Sequence, residues 1–578
     1  MALSRECSAQ SSHLADLARD IAVGARQGFK ATQFLGLSSG IALARLVMSA
    51  VKVESLPVQH DVAQGPSMNG PESKASLPPR TAADHLVEVY FQYRTPHLPL
   101  IDRQGVTEAL DCTYSWTLGV QSSERTIPRH VFTSFMVLAI ALCDLPNPND
   151  PLSLDRPAQS QGCFLSALLW MEDAIVQLPS EIETLRSVLL LAQFIALNPS
   201  RGSLWHLTGI ALRLCVELGF HWEADDQATS SDQDSVQDRR RLWYSTYYFD
   251  RILCNTLGRP FGIADDDVRV PLPNPWAWTT QLLTLAPDFD VQNQRAHNHM
   301  FRLSLLESEI RQAQQNQRCS SGLSQPKVNY AHWMRDIQPR LKEWYDTLPA
   351  TNKFHSASVF ALEAYWDSIY NYALILLHQP GIAFFQEGSK STRIAFEAST
   401  KFVANIKALQ REGRCECLWK TAHQLFMAGL GVIYGLWQSQ ELRDKQTPSI
   451  SIDTLQSCAS TLAAMSATFP AAAGCRDVFD VLSSKTIAHL VATDLEKSQQ
   501  RRADFDHQLG SLLQGLECSE ANTECSLDDH NLSCMTAVKR SNFGEMLTSA
   551  AQKTPYQPNF FDMGFTSMVG PGNRRDLS

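Results

Sequence analysis

The sequence has few of the features that mark membrane, secreted or DNA-coating proteins. Its longest apolar stretch, residues 131–143, has 13 residues, whereas a membrane-spanning helix needs about 20. The first ten residues contain Arg5 and Glu6 and no apolar run, so we expect no signal peptide. A net charge of −10 disfavours a surface that binds DNA throughout, because phosphate binding needs clustered Lys and Arg. We expect no membrane contact.

Zinc-binding cysteine spacing is also missing. Fourteen cysteines are present, but no two have the C-x-x-C spacing common in zinc sites. Cys143, Cys215 and Cys254 lie among apolar residues, which predicts buried, reduced thiols in an intracellular protein. Cys415 and Cys417 form an isolated C-x-C, which is usually incidental. One further group has no spacing typical of a zinc fold: Cys518, Cys525, His530 and Cys534. We expect no metal ion in this chain.

Common enzyme motifs are absent, or the residues that resemble them lack the secondary structure that the motif needs. The sequence has no P-loop and no G-x-G-x-x-G. The Ser-Gly stretches at 38–40 and 200–203 lack the strand-turn-helix setting of a hydrolase nucleophile. His297 and His299 lie two residues apart in a polar helix and so point away from each other, which predicts surface positions. We expect no catalytic residues, and we expect that the chain is not an enzyme.

The sequence also contains one acidic run and one basic run, and neither has the spacing or length of a binding motif. Asp265–Asp267 lacks the alternating ligand spacing of a calcium loop, and we expect it to pair with Arg259 or Arg269 or to stay solvated. Arg239–Arg241 is too short for a nuclear localisation signal. We expect this basic run to be solvated or paired with an acidic neighbour on the same helix, Asp234 or Asp238.

What the sequence contains is a succession of amphipathic helical patterns, with almost no strand signals. It therefore predicts an all-α fold with many helices. The predicted helices lie near residues 85–99, 183–199, 203–218, 238–257, 296–318, 331–347, 359–379, 392–411, 416–438, 452–466 and 476–496.

Residues 200–226 concentrate reactive side-chain types around one predicted helix. Ser203 is placed to cap that helix, and Gly219 is placed to end it. Its apolar positions recur every three or four residues: Leu204, Leu207, Ile210, Leu214 and Leu218. His206, Cys215 and His221 do not have the one-turn spacing of paired metal ligands. We interpret the stretch as a packed helix that carries no chemistry.

A second stretch, residues 238–273, has a helical stripe, a Gly-Arg-Pro break, an acidic loop and an extended end bracketed by prolines. Together with NPSRGSLWHLTGIALRLCVELGFH, it resembles the fungal-specific transcription factor domain, the middle homology region of fungal zinc-cluster regulators. VEVYFQYRTPHLPLIDRQ, LKEWYDTLP and YWDSIYNYALILLHQP resemble further parts of that domain. FLGLSSGIALARLV resembles the segment that follows the zinc cluster in such regulators.

The resemblance implies a nuclear regulator of transcription by RNA polymerase II, acting on metabolic genes or on a secondary-metabolite gene cluster. It also implies a set of structural or regulatory motif residues: Ser200, Arg201, Gly202, Trp205, His206, Arg213, Glu217, Gly219, Arg241, Trp243, Asp250, Arg251, Gly258, Arg259 and Pro260. The implied organisation is a short N-terminal segment (1–52), a Pro-, Ser- and Gly-rich linker (53–82), the middle homology domain (83–390), a C-terminal helical part packed on it (391–497) and a mostly disordered tail (498–578).

The chain departs from the family in its zinc cluster. Two zinc ions share six cysteines there, but the first 111 residues contain only Cys7. Either an upstream coding segment supplies the cluster, or the chain regulates without DNA contact of its own, as a partner-bound regulator or metabolite sensor. An enzyme with an unrecognised site is a distant alternative.

The expected partners follow from these alternatives. DNA would be reached only through the missing zinc cluster or a partner chain, and zinc is expected only with such a cluster. Coactivators or the transcription machinery could bind the apolar tail segment around Phe560–Phe565. Aromatic residues at helical spacing in the middle domain make an aromatic-lined cavity for a small-molecule effector a further hypothesis. A homodimer is also compatible with the sequence.

Overall fold

Twelve segments of the chain are described by the computed structural model: residues 74–92, 98–119, 126–143, 156–176, 180–223, 233–276, 287–318, 329–378, 390–415, 417–445, 448–469 and 472–491. Within them the fold is all-α as predicted, and the single β-type contact is an isolated parallel bridge between Trp222 and Arg269. The helices of these segments are α1 (Arg80–Phe91), α2 (Arg103–Thr117), α3 (Ile127–Cys143), α4 (Arg156–Val176), α5 (Glu181–Leu197), α6 (Leu204–Glu217), α7 (Gln233–Leu257), α8 (Pro287–Arg318), α9 (Tyr330–Asp346), α10 (Glu363–His378), α11 (Lys390–Arg411), α12 (Leu418–Gln438), α13 (Gln440–Lys445), α14 (Pro448–Thr468) and α15 (Ala473–Val491).

Capping side chains explain where several helices begin. Asp102, Ser180, Ser203 and Asn329 precede α2, α5, α6 and α9, and each accepts a hydrogen bond from the backbone N–H three residues further on. Such caps satisfy amide groups that have no partner inside the helix. Helix α1 instead starts after two prolines, so residues 80–82, the expected end of the linker, form its first turn.

The core is continuous from the first helices to the last. Residues 131–142 of α3 and 187–196 of α5 are buried on every side, as expected for helices that are apolar all round. Helix α3 packs against α1, α2, α4 and α5, and α6 packs against α5 and α7. Helices α10, α11 and α12 follow one another in contact, and α14 and α15 pack on α12. None of the described helices is long and apolar enough to cross a membrane.

Helix α12 joins the two ends of this core. The indole nitrogen of Trp419 donates a hydrogen bond to the carbonyl oxygen of Ala196 in α5, at 3.0 Å. Trp419 itself is buried, and α12 also contacts α7. The helices after residue 390 therefore pack on the earlier ones through buried, hydrogen-bonded contacts.

The position of helix α8 corrects the prediction for two histidines. His297 and His299 are buried and not at the surface, because α7, α9 and α10 all pack on α8. A ring nitrogen of His299 is hydrogen-bonded to the Trp344 carbonyl oxygen at 2.8 Å, and the Trp344 indole donates to the His299 carbonyl oxygen at 2.8 Å. The polar composition of α8 thus reflects internal hydrogen bonds, which the helical pattern alone does not reveal.

Candidate functional site

Helix α6 and the turn before it carry the first group of predicted motif residues. The hydroxyl oxygen of Ser203 accepts from the His206 backbone N–H at 3.4 Å, and Gly219 ends the helix with φ +71°. His206, Arg213 and Glu217 are exposed, whereas most of the predicted apolar stripe is buried. The helix therefore has the predicted cap, end and inward face.

The turn before α6 is a 3-10 helix, Pro199–Arg201, which contains Ser200 and Arg201. Gly202 follows it in an extended conformation and lies tight against α5. A Cβ atom at Gly202 would sit 3.2 Å from Cδ1 of Ile195, closer than an ordinary contact. Glycine therefore allows the turn to pack closely on α5, and a side chain here would displace the end of Ile195 by a few tenths of an ångström.

We call residues 258–276, which follow α7, the motif loop. Gly258 opens it with φ +67°, a conformation that favours glycine. Arg259 is buried and its guanidinium lies over the Trp205 ring, 4.5 Å from the centroid, whereas Pro260 is exposed. This cation–π contact joins the motif residues of α6 to those of the loop.

A buried arginine organises the first half of the motif loop. The side chain of Arg251 has 0% exposure and forms ion pairs with Asp250 and, at 2.7 Å, with Asp265. Its guanidinium also donates to the Ile263 carbonyl oxygen at 2.9 Å and stacks on the rings of Tyr247 and Phe261, at 4.0 and 4.2 Å from their centroids. One side chain thus connects α7 with Phe261, Ile263 and the first residue of the acidic turn.

The pKa values of the two carboxylates around Arg251 are shifted in opposite directions. For Asp250, burial raises the pKa even though Arg251 and the Gly262 N–H favour the charged form. For Asp265, burial also acts to raise the pKa, but Arg251 and hydrogen bonds from Ser308 and Tyr247 outweigh it, and the pKa is lowered. Asp265 is therefore the firmly ionised partner of Arg251 at neutral pH.

Arg311 of α8 holds the start of the loop from the other side. It donates to the carbonyl oxygens of Cys254 and, at 2.6 Å, Arg259, and to the side-chain oxygen of Asn255 at 3.3 Å. The Cys254 carbonyl belongs to the last turn of α7, where a positive charge is favourable, and the Arg259 carbonyl belongs to the motif loop. Arg311 thus caps α7 and fixes the chain that leaves it.

The second half of the motif loop is held through its backbone. The Tyr244 hydroxyl donates to the Val270 carbonyl oxygen at 2.6 Å, and the Asn298 side-chain nitrogen donates to that of Pro273 at 2.7 Å. The Asn274 N–H donates to the Gln237 side chain at 2.6 Å. Helices α7 and α8 therefore bind the loop along most of its length.

These contacts bear on two charge predictions. In the acidic run, Asp265 turns inward to Arg251, whereas Asp266 and Asp267 are exposed, in agreement with the solvated alternative. In the basic run, two arginines contact groups outside their own helix. Arg240 pairs with Glu223, with a 2.8 Å hydrogen bond, and buried Arg241 donates to Gln294 at 3.1 Å. Asp238, one expected partner, pairs with Arg186 of α5. Contacts between elements of the fold therefore gave these charged residues partners that their positions in the sequence do not suggest.

The cysteines near the site are unreactive thiols. Burial raises the pKa of Cys215 to about 12, and burial together with Asp250 raises that of Cys254 still further. A thiol with so high a pKa is a poor nucleophile and metal ligand at neutral pH. Among the described residues, no three His, Cys, Asp or Glu side chains come together as a metal site. The family's zinc cluster therefore has no fitting ligand set in this part of the chain.

Sequence reasoning missed several residues of this site. Tyr247, Ser308 and Arg311 each complete the network around the motif loop, and two of them come from α8. No local motif signals them, because their partners lie many positions away in the chain. Trp243, a predicted motif residue, is fully buried beneath the same helix pair.

One family model matches part of the chain. Residues 87–346 match the model of the fungal specific transcription factor domain, from within α1 to the end of α9, and this range contains the motif loop. This part of the chain therefore resembles the domain found in fungal transcription regulators.

The relatives agree with this assignment. The chain is 26% identical to the positive regulator of purine utilization of Emericella nidulans, over 83% of this chain and 55% of that protein. It is 21% identical to the pyrimidine pathway regulatory protein 1 of Saccharomyces cerevisiae, over 72% of this chain and 54% of that protein. It is 29% identical to protein STB5 of Saccharomyces cerevisiae, over 34% and 26%. The chain thus spans at most about half the length of these relatives.

One solved structure shares a low degree of similarity with this chain. It is the K. lactis CBF3 core, which has 12% sequence identity and a TM-score of 0.42 over 84% of this chain and 97% of that one.

Proposed function

We propose that this chain is a nuclear regulator of transcription by RNA polymerase II that controls metabolic genes. The family match at residues 87–346 carries the proposal. Two relatives are named for purine utilization and for the pyrimidine pathway, which supports metabolic genes as the targets. A secondary-metabolite gene cluster is a narrower form of the same proposal. The internally paired charges of the motif loop support a role in presenting and restraining other segments, with no reaction catalysed.

The proposed partners are coactivators or the transcription machinery, a small-molecule effector and a second copy of the chain. DNA would be bound through a zinc cluster of the family's kind or through a partner chain. The tail segment around Phe560–Phe565, which lies outside the described residues, is the proposed coactivator contact, because it combines aromatic residues with an acidic one.

A second candidate is a regulator that makes no DNA contact of its own. The observation that favours it is the state of the basic run in α7. Arg240 pairs with Glu223 and Arg241 is buried against Gln294, so the one tight basic run of the helical body faces protein groups. The net charge of −10 points the same way.

A tethered reporter tests regulation separately from DNA binding. The full chain is fused to a heterologous DNA-binding domain, and expression of a reporter behind its operator is measured against that domain alone. A change in expression supports a regulatory role, and unchanged expression contradicts it. Deleting residues 555–578 should reduce activation if the tail contacts a coactivator.

DNA contact is tested on the unfused chain. Chromatin immunoprecipitation with tagged protein should enrich promoters of metabolic genes under either candidate function. Purified chain should shift those promoters in a gel only if it binds DNA itself. Enrichment in cells without a gel shift would favour the partner-bound regulator.

A further inference from the structure

Helices α2 and α4 carry an exposed group of large apolar side chains. The rings of Trp116 and Trp170 meet edge to face, with their centroids 5.2 Å apart. Trp116 is 40% exposed, and Leu118 and Leu169, which are close in sequence to the two tryptophans, are 78% and 44% exposed. We call these four residues the tryptophan patch. Large apolar side chains grouped at a surface typically mark an interaction site, and tryptophan is enriched among the residues that contribute most to binding.

Carboxylates border the patch on α4. Glu172 and Asp173 follow Leu169 by three and four residues, so they lie on the same face of the helix, one turn further on. On the α2 side, the positive charge of Arg80 is paired with two carboxylates, one of them Asp111 of α2. The border of the patch on these two helices is therefore acidic, and a partner that combines apolar side chains with positive charge is complementary to it.

The chain enters the helical body along the same two helices. The Ala75 N–H donates to the Gly162 carbonyl oxygen at 3.3 Å, and the Ser166 hydroxyl donates to the Ala75 carbonyl oxygen at 2.9 Å. The Tyr114 hydroxyl donates to the Pro78 carbonyl oxygen at 2.5 Å. The entering stretch is thus bound to α4 about one turn before its part of the tryptophan patch, and to α2 two residues before its part. The segment that precedes this stretch therefore reaches the body close to the patch.

Residues 34–51 combine apolar side chains with positive charge. Between residues 21 and 53 the sequence has four basic residues and no acidic one. Apolar residues recur every three or four positions, the spacing that would give a helix one apolar face. These residues are Leu37, Ile41, Ala44, Met48 and Val51. Residues 52–73 join this segment to the entering stretch, and a chain of that length can extend to about 70 Å, which is enough to reach the patch.

We propose that residues 34–51 dock on the tryptophan patch of their own chain, with their apolar residues on the patch and their positive charge toward the carboxylates of α4. Because the segment and the patch belong to one chain, the effective concentration of the segment is high, and weak contacts suffice to hold it. Docking fixes the N-terminal part of the chain against α2 and α4. The regulatory consequence of this contact rests on the proposed function, whereas the docking itself does not.

Photocrosslinking in the full chain identifies what lies on the patch. Leu118 is replaced by p-benzoylphenylalanine, the purified chain is irradiated, and mass spectrometry maps the crosslinked peptides. We expect crosslinks within one chain to residues 34–51, and no such crosslinks when the same replacement is made at Ile450, which is exposed on α14. Crosslinks between two chains, crosslinks confined to the adjoining residues 120–125 or 177–179, or the absence of crosslinks overturn the proposal.

Limited proteolysis of the full chain measures the docked fraction. Trypsin cleaves after Arg45 inside the docking segment, and the rate of this cleavage follows the fraction of chains in which the segment is undocked. Leu169→Lys removes an apolar contact and adds a positive charge, so it should accelerate the cleavage at least about fivefold. Ile450→Lys, the same change at an exposed apolar residue of α14, is the matched control and should leave the rate unchanged. Equal rates in the wild-type and Leu169→Lys chains, with native near-ultraviolet circular dichroism in both, overturn the proposal.

A charge reversal tests the acidic border of the patch. Asp173→Lys should accelerate cleavage after Arg45 at least about threefold, because it replaces an attraction by a repulsion. Asp267→Lys changes the net charge equally at an exposed position of the motif loop and should have no effect. Equal effects of the two variants overturn the match between the basic segment and the carboxylates of α4. These measurements need no transcription, so their failure is distinct from a silent tethered reporter, which would contradict the proposed function alone.

Discussion

At the scale of single residues, Arg251 shows how a buried charge is kept stable. Its two carboxylate partners and its carbonyl contact replace the water that burial removes. Replacing Asp265 by Asn leaves Asp250 as the only ionic partner and removes the charged acceptor for Tyr247 and Ser308. Because Asp265 is partly exposed, we expect Asp265→Asn to lower the free energy of unfolding by roughly 2 kcal/mol in urea denaturation.

The neighbouring acid provides the control for this change. Asp267 lies in the same turn but is exposed, so Asp267→Asn should alter the free energy of unfolding by less than about 0.5 kcal/mol. Equal effects of the two substitutions would show that net charge, and not the buried contact with Arg251, stabilises the turn.

His299 makes stability depend on pH. Burial lowers its pKa to about 4, against roughly 6.5 in an unfolded chain. The unfolded state therefore binds an extra proton between these values, and stability falls as pH decreases from about 6.5 to 4. Above pH 6.5 this contribution is fully present. His299→Gln should reduce the slope of unfolding free energy against pH in that window, while His378, whose pKa is also about 4, maintains a similar slope of its own.

An exposed histidine gives the comparison for that slope. His332 lies at the surface of α9, and His332→Gln is the matched substitution of an exposed histidine. If His299→Gln left the slope of unfolding free energy against pH unchanged, protonation of His299 would not be coupled to unfolding, and its bond to the Trp344 carbonyl would have to survive in the charged state.

At the scale of helices, glycines in α12 permit close packing. A Cβ atom at Gly429 would lie 2.8 Å from Sγ of Cys458 in α14 and 2.9 Å from Cζ of Phe479 in α15. We expect Gly429→Ala to lower the melting temperature through overpacking, which costs roughly 1–3 kcal/mol. Gly209→Ala in α6, where a Cβ meets nothing within 4 Å, should instead stabilise the protein by up to about 1 kcal/mol. Thermal unfolding of the pair measures both, and equal destabilisation would exclude overpacking as the cause.

The helices themselves were predictable to a large extent, because their apolar spacing is local. The predicted helix near 238–257 corresponds to α7, and that near 203–218 corresponds to α6 with its Ser203 cap. The position of α8 in the core was not predictable in this way. Its polar residues are satisfied by groups of α7, α9 and the motif loop, and such long-range partners leave no periodic signal.

The site was predictable only as a set of residues. The family resemblance singled out Asp250, Arg251 and Arg259, but it did not show which groups they contact. Asp265 reaches Arg251 because the loop folds back onto α7, and Ser308 joins it from α8. The ion pairs of Asp265 with Arg251 and of Arg240 with Glu223 were not predicted, because in each pair the two residues come from different elements of the fold.

At the scale of the whole molecule, the family-matched part is not expected to be an independent unit. A fragment of residues 74–346 would lose α10–α12 and expose the buried faces of Tyr248, Phe301 and Ala196 that they help to cover. Such apolar surface favours association. We expect this fragment to elute as aggregates in size-exclusion chromatography and to lack near-ultraviolet circular dichroism, whereas residues 74–491 should retain it. A monomeric, cooperatively unfolding fragment would contradict this expectation.

The bridge between Trp222 and Arg269 has a consequence for the order in which the molecule comes apart. The Glu223 N–H donates to the Arg269 carbonyl oxygen at 2.8 Å, and the Arg269 N–H donates to that of His221 at 2.9 Å. These bonds close a ring of backbone whose circumference includes all of α7. Because these bonds join the two ends of that segment, we expect α7 and the motif loop to open as one cooperative unit, which amide hydrogen exchange would show as a shared rate of opening.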